Sequence, residues 1–286
     1  MRWTTGRRSE NVEDRRGQRV SRGVMVGGLG GLGTLVLVVL ALIFGVDPSA
    51  LFQGGGEPYV DEAPAEGPIE SSPAEEELKD FVSVVVADTE DTWSSIFERS
   101  GGTYSPPRLV LFRDAVRSAC GFAESAVGPF YCGADRKVYV DLSFMDELRR
   151  RFRAPGDFAQ AYVIAHEIGH HVQNLLGLSE QVQNAQARMS RDDANAVSVR
   201  FELQADCLAG VWANQAKRRN VLDEGDLDEA LGAASAIGDD RIQRETRGYV
   251  VPDSFTHGSS AQRVQWFRTG FTQGTVQSCD TFRSGR

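Results

Sequence analysis

Apolar and polar residues follow two different spacings along this chain, which predicts a mixture of helices and strands. Between Asp157 and Gly177, apolar residues recur three or four positions apart, the spacing that places them on one face of a helix. Similar spacing predicts helices over residues 80–97, 194–217 and 226–243. Short apolar runs at residues 109–112 and 138–142 predict strands. We therefore expect an α+β domain, mainly helical, over residues 79–286.

A third pattern near the N-terminus is apolar throughout. Val24 to Val46 contains no charged residue. As a helix rising about 1.5 Å per residue, this segment would be about 34 Å long, enough to cross the hydrocarbon core of a bilayer. The alternatives are a cleaved signal peptide and a buried helix of a soluble protein. The apolar run is longer than that of a usual signal peptide, and Pro48-Ser49-Ala50 is a weak cleavage site. The pattern predicts one transmembrane helix at residues 24–46.

The net charge of −9 is unevenly distributed around this segment. Residues 1–46 carry +4, residues 47–78 carry −9 and residues 79–286 carry −4. The Arg-rich start predicts a cytoplasmic tail at residues 1–23, with everything after the membrane helix outside the cytoplasm. Residues 47–78 are acidic and almost without large apolar residues, which predicts a disordered linker. The expected location is the cell membrane, with an extracytoplasmic domain. No nucleic-acid partner is expected of an acidic chain.

Three of the four histidines cluster in the helix predicted from Asp157, in the sequence His166-Glu167-Ile168-Gly169-His170-His171. Two histidines four residues apart lie on one helix face, so both rings can reach one metal ion. Zinc favours such nitrogen ligands, and a catalytic zinc site holds three protein ligands and a water. Glu167 can then take a proton from that water and pass it to a leaving amine. The alternative, two unrelated surface histidines, fits poorly with the apolar residues on both sides.

A third metal ligand must come from another element. Glu202 follows His170 by 32 residues in the next long predicted helix, and Asp206 lies four residues further on the same face. Glu202 can complete a set of two His and one Glu, and Asp206 can accept the second N–H of a ligand imidazole. A solvent-exposed acidic face is the alternative, but the apolar residues after Ala205 predict a buried helix. The predicted cofactor is therefore Zn²⁺, held by His166, His170 and Glu202.

These motifs resemble those of the gluzincin metallopeptidases, and the whole chain resembles the bacterial family of neutral zinc metallopeptidases. The resemblance is carried by the zinc motif, the Arg-rich start with residues 11–16, one apolar segment, residues 128–132 and residues 255–263. It covers the chain nearly end to end, except for the acidic linker. It implies a zincin-like domain with zinc-dependent protease activity.

The fourth histidine, His257, lies six residues before Arg263. The pair resembles a His-x₅-Arg element of membrane-associated zinc peptidases, and either side chain could donate to the oxyanion of a tetrahedral intermediate. His257 is therefore a candidate catalytic residue. The alternative is a capping role, because Thr256 to Ser260 precedes a predicted helix. His171 is five positions from His166, which points it away from the metal.

The remaining expectations concern cysteines and substrate binding. All four cysteines follow the apolar segment, as expected in an oxidising compartment, where disulfides persist. Of the three possible pairings we favour Cys120–Cys132, which closes a short loop, with Cys207–Cys279, which ties the Glu202 helix to the C-terminus. The strand at residues 138–142 either lies in the core or offers an edge to which an extended substrate pairs.

Two functions of different class remain. The first is a membrane-anchored zinc endopeptidase acting on protein or peptide substrates. The second is an interaction protein that keeps zinc without catalysis, or a zinc hydrolase of non-peptide substrates. A structural zinc site should have a fourth protein ligand, which the sequence lacks, so peptidase activity is favoured.

Overall fold

The computed structural model describes residues 1–19, 65–66, 69–124 and 128–283. These residues form a mainly helical α+β fold in which helices pack against one face of a small sheet and against each other. The helices are α1 (Pro73–Arg99), α2 (Leu142–Arg150), α3 (Asp157–Leu175), α4 (Leu178–Gln186), α5 (Arg191–Arg218), α6 (Asp226–Ala236), α7 (Asp239–Arg247) and α8 (Ser260–Gln273). The strands are β1 (Val12–Asp14), β2 (Gln18–Arg19), β3 (Ala65–Glu66), β4 (Arg108–Phe112), β5 (Ala115–Ser118), β6 (Gly121–Glu124), β7 (Phe130–Cys132) and β8 (Lys137–Asp141).

The main sheet has four strands in the order β1-β4-β8-β7. β1 runs parallel to β4, β4 runs parallel to β8, and β7 is antiparallel to β8. β4 and β8 are the two strands that the apolar runs predict, and both are almost fully buried. The strand suggested as a substrate edge is therefore interior, because both of its sides are already paired. The edges of this sheet are β1 and β7.

The core forms where α3 and α5 pack together and where α8 crosses α5. The backbones of α5 and α8 meet at Gly210 and Gly270: a Cβ atom on Gly270 would lie 1.9 Å from the Cys207 carbonyl oxygen. Only glycine permits an approach this close. Trp212 on α5 stacks on Phe158 of α3, and both are fully buried.

Helix α1 begins earlier than the apolar spacing predicts, at Pro73 rather than near Asp80. Ser72 is its N-cap and forms a reciprocal capping box with Glu75, and proline occupies the first turn. The acidic residues assigned to a disordered linker thus include the first turn of this helix, where negative charge is stabilised by the helix dipole.

The helix expected over residues 226–243 is two helices, α6 and α7, separated at Ile237 and Gly238. The carboxylate of Asp239, in the first turn of α7, accepts the backbone N–H groups of Thr256, His257 and Gly258. This contact fixes the turn that precedes α8.

Residues 1–19 pack on the rest of the fold rather than forming a separate tail. Besides the β1–β4 pairing, Arg16 is buried and binds Asp14 and Glu76, the latter on α1. The ammonium group of Met1 lies 2.7 Å from Asp157 and 3.3 Å from Asp226, at the first turns of α3 and α6. The Arg-rich start is therefore part of the same packed body as the helices.

The fold class expected from the sequence is correct in being mainly helical α+β and wrong in adding a membrane helix. Among the helices in the described ranges, none is long and apolar enough to span a bilayer. The predicted span, residues 24–46, lies outside the described residues. Its two flanks share one sheet through β1 and β4, which segments on opposite sides of a membrane cannot do. Membrane anchoring through a helix is thus not supported.

Both expected disulfides are present. Cys120 is bonded to Cys132, and Cys207 on α5 is bonded to Cys279 in the 3₁₀ turn Val276–Cys279. These two bonds include all four cysteines of the sequence. The second bridge ties the helix that carries Glu202 to the C-terminal segment.

Candidate metal centre

The site lies where α3 and α5 approach each other closely. Gly169, between the two histidines of the motif, faces the backbone of α5: a Cβ atom there would lie 2.9 Å from the Ala205 carbonyl oxygen. The absence of a side chain at this position lets the two helices approach. As a result, His166 and His170 on α3 face Glu202 on α5.

One potential ligand atom from each of these three residues lies within 4.8 Å of the other two. The Glu202 Oε2 atom is 3.1 Å from His166 Nε2 and 3.5 Å from His170 Nε2. Tetrahedral zinc with ligand distances near 2.0–2.1 Å places its ligands about 3.3–3.4 Å apart. Two imidazole nitrogens and one carboxylate oxygen at these separations fit a zinc ion in both donor type and spacing.

His166 presents Nε2 to the site because its other ring nitrogen, Nδ1, has a hydrogen-bond partner on the opposite side of the ring. Nδ1 lies 2.9 Å from the Asp206 carboxylate, which is fully buried and also accepts from Tyr162 and Arg263. Burial opposes ionisation of Asp206, but the charges of Arg263 and His166 outweigh it and hold the pKa of this carboxyl at about 2. An ionised Asp206 favours the tautomer of His166 that carries its proton on Nδ1.

His170 is oriented by a different kind of partner. Its Nδ1 atom lies 2.8 Å from Oε1 of Gln173, one helical turn further along α3. Its ring stacks on Phe201, with 5.3 Å between ring centroids. His170 therefore also presents Nε2 to Glu202.

Glu167 lies beside the three ligand candidates, and only 8% of its surface is exposed. The pKa of its carboxyl is raised, because the effect of burial outweighs the opposing charges of His166 and His170. No hydrogen bond to a described residue contributes to this shift. A buried carboxylate with a raised pKa and no fixed donor is suited to accept and release a proton. By contrast, burial opposes ionisation of Glu202, but the neighbouring histidines hold its pKa well below the ordinary value.

His257 lies in the turn before α8, whose N-cap is Ser259. Its Nδ1 atom is 3.3 Å from Asp239 and its backbone N–H donates to the same carboxylate, so it has a clear structural contact. Burial lowers the pKa of His257, but the charges of Asp239 and Glu202 outweigh it and raise the pKa. The charge of His257 also helps to lower the pKa of Glu202, which places this histidine near the site. A catalytic role stays a prediction.

Arg263 does not face the open side of the site. Nε and Nη2 bind Asp206, Nη2 also lies 3.3 Å from the Tyr162 hydroxyl, and Nη1 donates to the Ile237 carbonyl. With every guanidinium nitrogen occupied and 3% of its surface exposed, Arg263 supports Asp206 rather than contacting a reacting group.

His171 lies on another face of α3, as its spacing predicts. Nε2 is 2.7 Å from the Ser105 carbonyl oxygen, and Nδ1 is 3.0 Å from the hydroxyl of Tyr131 on β7. Burial lowers the pKa of His171 to about 4. This histidine joins α3 to the edge strand of the sheet.

Sequence reasoning missed two residues that orient the ligands, Tyr162 and Gln173. Tyr162 precedes His166 by four positions and Gln173 follows His170 by three, so helical spacing places each on the same face as the histidine it supports. This spacing could have identified both residues from the sequence. It was overlooked because both residues also belong to the buried face of α3, among apolar neighbours.

Comparison with known proteins finds one family and several related proteins that match the chain. The profile of the family described as "Putative neutral zinc metallopeptidase" matches residues 1–282. A protein of Escherichia coli K12, "Uncharacterized protein YpfJ", is 49% identical over 290 residues, covering 99% of both chains. "Uncharacterized protein Mb2605" of Mycobacterium bovis is 42% identical over 213 residues, covering 71% of both chains. No solved structure gives a significant match.

Proposed function

The chain belongs to the neutral zinc metallopeptidase family, and from this premise we propose that it is a zinc-dependent endopeptidase. The observation that supports the proposal best is the convergence of three ligand atoms from two helices, with a buried carboxylate beside them. In a purely structural site we would expect a fourth protein ligand, and no other His, Cys, Asp or Glu of the described residues joins this cluster.

In this proposal, Nε2 of His166, Nε2 of His170 and the Glu202 carboxylate hold the ion. Bound zinc would supply Lewis acidity, which makes water a stronger acid and polarises a carbonyl group. Asp206 and Gln173 keep both imidazoles in the tautomer whose Nε2 lone pair faces the site. Arg263 balances the charge of Asp206, so that the carboxylate stays ionised in the protein interior.

Glu167 is the proposed general base and acid. Its carboxylate takes a proton from the attacking water, and the resulting carboxylic acid then gives that proton to the leaving amine. The raised pKa suits the first step, because it makes the carboxylate a better proton acceptor than that of a solvent-exposed glutamate.

The Glu167→Gln variant tests the proposal. The amide keeps the size of the side chain but cannot accept the proton, so peptide hydrolysis should fall by at least about 100-fold while zinc content stays unchanged. Hydrolysis is measured on a library of internally quenched peptides, and zinc by elemental analysis of the same samples. Glu180→Gln, an exposed position on α4, is the matched control. Equal turnover in Glu167→Gln and the wild type would refute the proposed chemistry.

The location of the domain outside the cytoplasm stays a prediction. The two disulfide bonds support it, since such bonds persist in oxidising compartments.

A further inference from the structure

A short stretch at the end of α7 and just after it presents basic and apolar side chains together on the surface. Tyr249 is 63% exposed, more than any other large apolar side chain in the described ranges, and Val251 is 37% exposed. Arg244 and Arg247, in the last turn of α7, are also exposed. These four residues form the 244–251 surface.

The two arginines of the 244–251 surface are not neutralised within the fold. Arg241, one turn earlier on α7, is paired with Glu245 at 3.2 Å. In the part of the chain that the structure describes, no side chain forms a hydrogen bond or an ion pair with the guanidinium group of Arg244 or Arg247. Asp253 is the only acidic residue in the sequence between positions 246 and 258. The surface therefore combines positive charge with apolar groups, in a chain whose net charge is −9.

The backbone under this surface is held by hydrogen bonds from two sides. Oε1 of the buried Gln243 accepts from the Val251 N–H at 2.8 Å, and its Nε2 donates to Ser254 Oγ at 2.9 Å. Nδ2 of Asn195, on α5, donates to the Asp253 carbonyl oxygen at 3.0 Å. The exposed side chains are thus presented by a fixed backbone. Tyrosine and arginine on such a support are the residue types most enriched among those that dominate binding energy at protein interfaces.

The segment that carries this surface ends beside the candidate metal centre. A Cβ atom on Gly258 would lie 3.3 Å from Val199 and 3.2 Å from Leu203, which flank Glu202 on α5. Asn195, which binds the middle of the segment, precedes Glu202 by seven positions. Two helical turns place it on the same face of α5, about 10 Å away along the axis. An extended peptide covers that distance with about three residues.

We propose that the 244–251 surface is an exosite of the proposed peptidase, which binds an acidic and apolar segment of the protein substrate at least about three residues from the cleaved bond. The inference rests on the proposed function for the cleavage that follows binding, but not for the binding itself. Arg244 and Arg247 attract acidic side chains, and Tyr249 and Val251 cover apolar ones. A peptide too short to reach this surface gains nothing from it.

Peptide binding without cleavage is the decisive measurement, and the full chain with Glu167→Gln permits it. The probes are two fluorescein-labelled twelve-residue peptides, one alternating Glu with Leu and one alternating Lys with Leu, and binding is followed by fluorescence anisotropy. The Glu/Leu peptide should bind more tightly, and less so as the salt concentration rises. Adding either Arg244→Gln/Arg247→Gln or Tyr249→Ser/Val251→Ser should weaken its binding by about 3–10-fold.

Matched controls are Arg149→Gln and Ile69→Ser, which remove exposed basic and apolar side chains elsewhere and should leave binding unchanged. Equal affinity for the two peptides would overturn the proposal. So would either double variant of the 244–251 surface that binds the Glu/Leu peptide as tightly as the parent chain.

Hydrolysis by the chain with Glu167 intact gives the second readout. For a twelve-residue acidic substrate, KM should rise by about 3–10-fold in both double variants while kcat stays unchanged. Hydrolysis of a four-residue substrate should not change, and an equal loss on both substrates would contradict an exosite. A chain that hydrolyses no peptide would refute the proposed function, whereas the anisotropy result would still decide whether this surface binds acidic segments.

Discussion

Arg263 makes the most extensive charged contact behind the metal centre, and its replacement by methionine gives a quantitative prediction. Methionine fills most of the volume but removes the two hydrogen bonds to Asp206, of 2.8 and 2.9 Å. Asp206 is then left as a fully buried carboxylate with Tyr162 and His166 as partners.

The expected cost follows from the burial of both groups. Arg263 is 3% exposed and Asp206 is 0% exposed, and removing one partner of a buried ion pair typically costs about 3–5 kcal/mol. For a domain of this size, about 2–4 °C of Tm is lost per kcal/mol, so the Tm should fall by about 6–20 °C. Replacing both residues, in Asp206→Asn/Arg263→Met, should cost less than the sum of the two single changes, since the second change removes the unpaired charge.

Urea denaturation of the metal-free protein, followed by circular dichroism, measures these differences. The matched control is Arg149→Met, which removes an exposed ion pair with Asp146 and should change the free energy of unfolding by less than about 0.5 kcal/mol. If Arg263→Met unfolds at the same urea concentration and with the same slope as the wild type, the ion pair of Arg263 with Asp206 does not stabilise the fold.

Two further predictions concern the same fold. In the folded protein the pKa of His171 is about 4, against an ordinary value of 6.5, so the unfolded chain takes up a proton first as the pH falls. The free energy of unfolding should therefore fall by about 3 kcal/mol between pH 6.5 and pH 4. His171→Gln should flatten the dependence of this free energy on pH in that window, and an unchanged profile would refute the assignment. Because residues 1–19 provide strand β1, cleavage at a protease site introduced near residues 54–56 should leave the two fragments associated on size-exclusion chromatography; separate elution would contradict the contacts of β1.

The convergence of His166, His170 and Glu202 was predictable because helical spacing is local. His166 and His170 share a face of one helix, and Glu202 and Asp206 share a face of another, so the sequence alone indicates which atoms can converge. Both disulfides were predictable for a different reason, because four cysteines allow only three pairings.

Contacts between distant segments were not predictable in this way. The pairing of β1 with β4 joins residues almost 100 positions apart. An Arg-rich start suggests a solvated tail, whereas in the structure Arg16 binds Asp14 and Glu76. The substrate-edge hypothesis failed for the same reason, because strand order decides whether β8 is an edge. The contact of Gln173 with the Phe201 carbonyl oxygen depends on α5 lying beside α3, which no local pattern encodes.

The central claim is that His166, His170 and Glu202 hold a zinc ion required for peptide hydrolysis. The most direct test is the zinc content of the purified chain, measured by elemental analysis together with its peptidase rate. We expect a single zinc ion per chain, loss of both zinc and activity on treatment with a chelator, and recovery of activity when zinc is returned. A metal-free chain that hydrolyses peptides as fast as the untreated protein would contradict it.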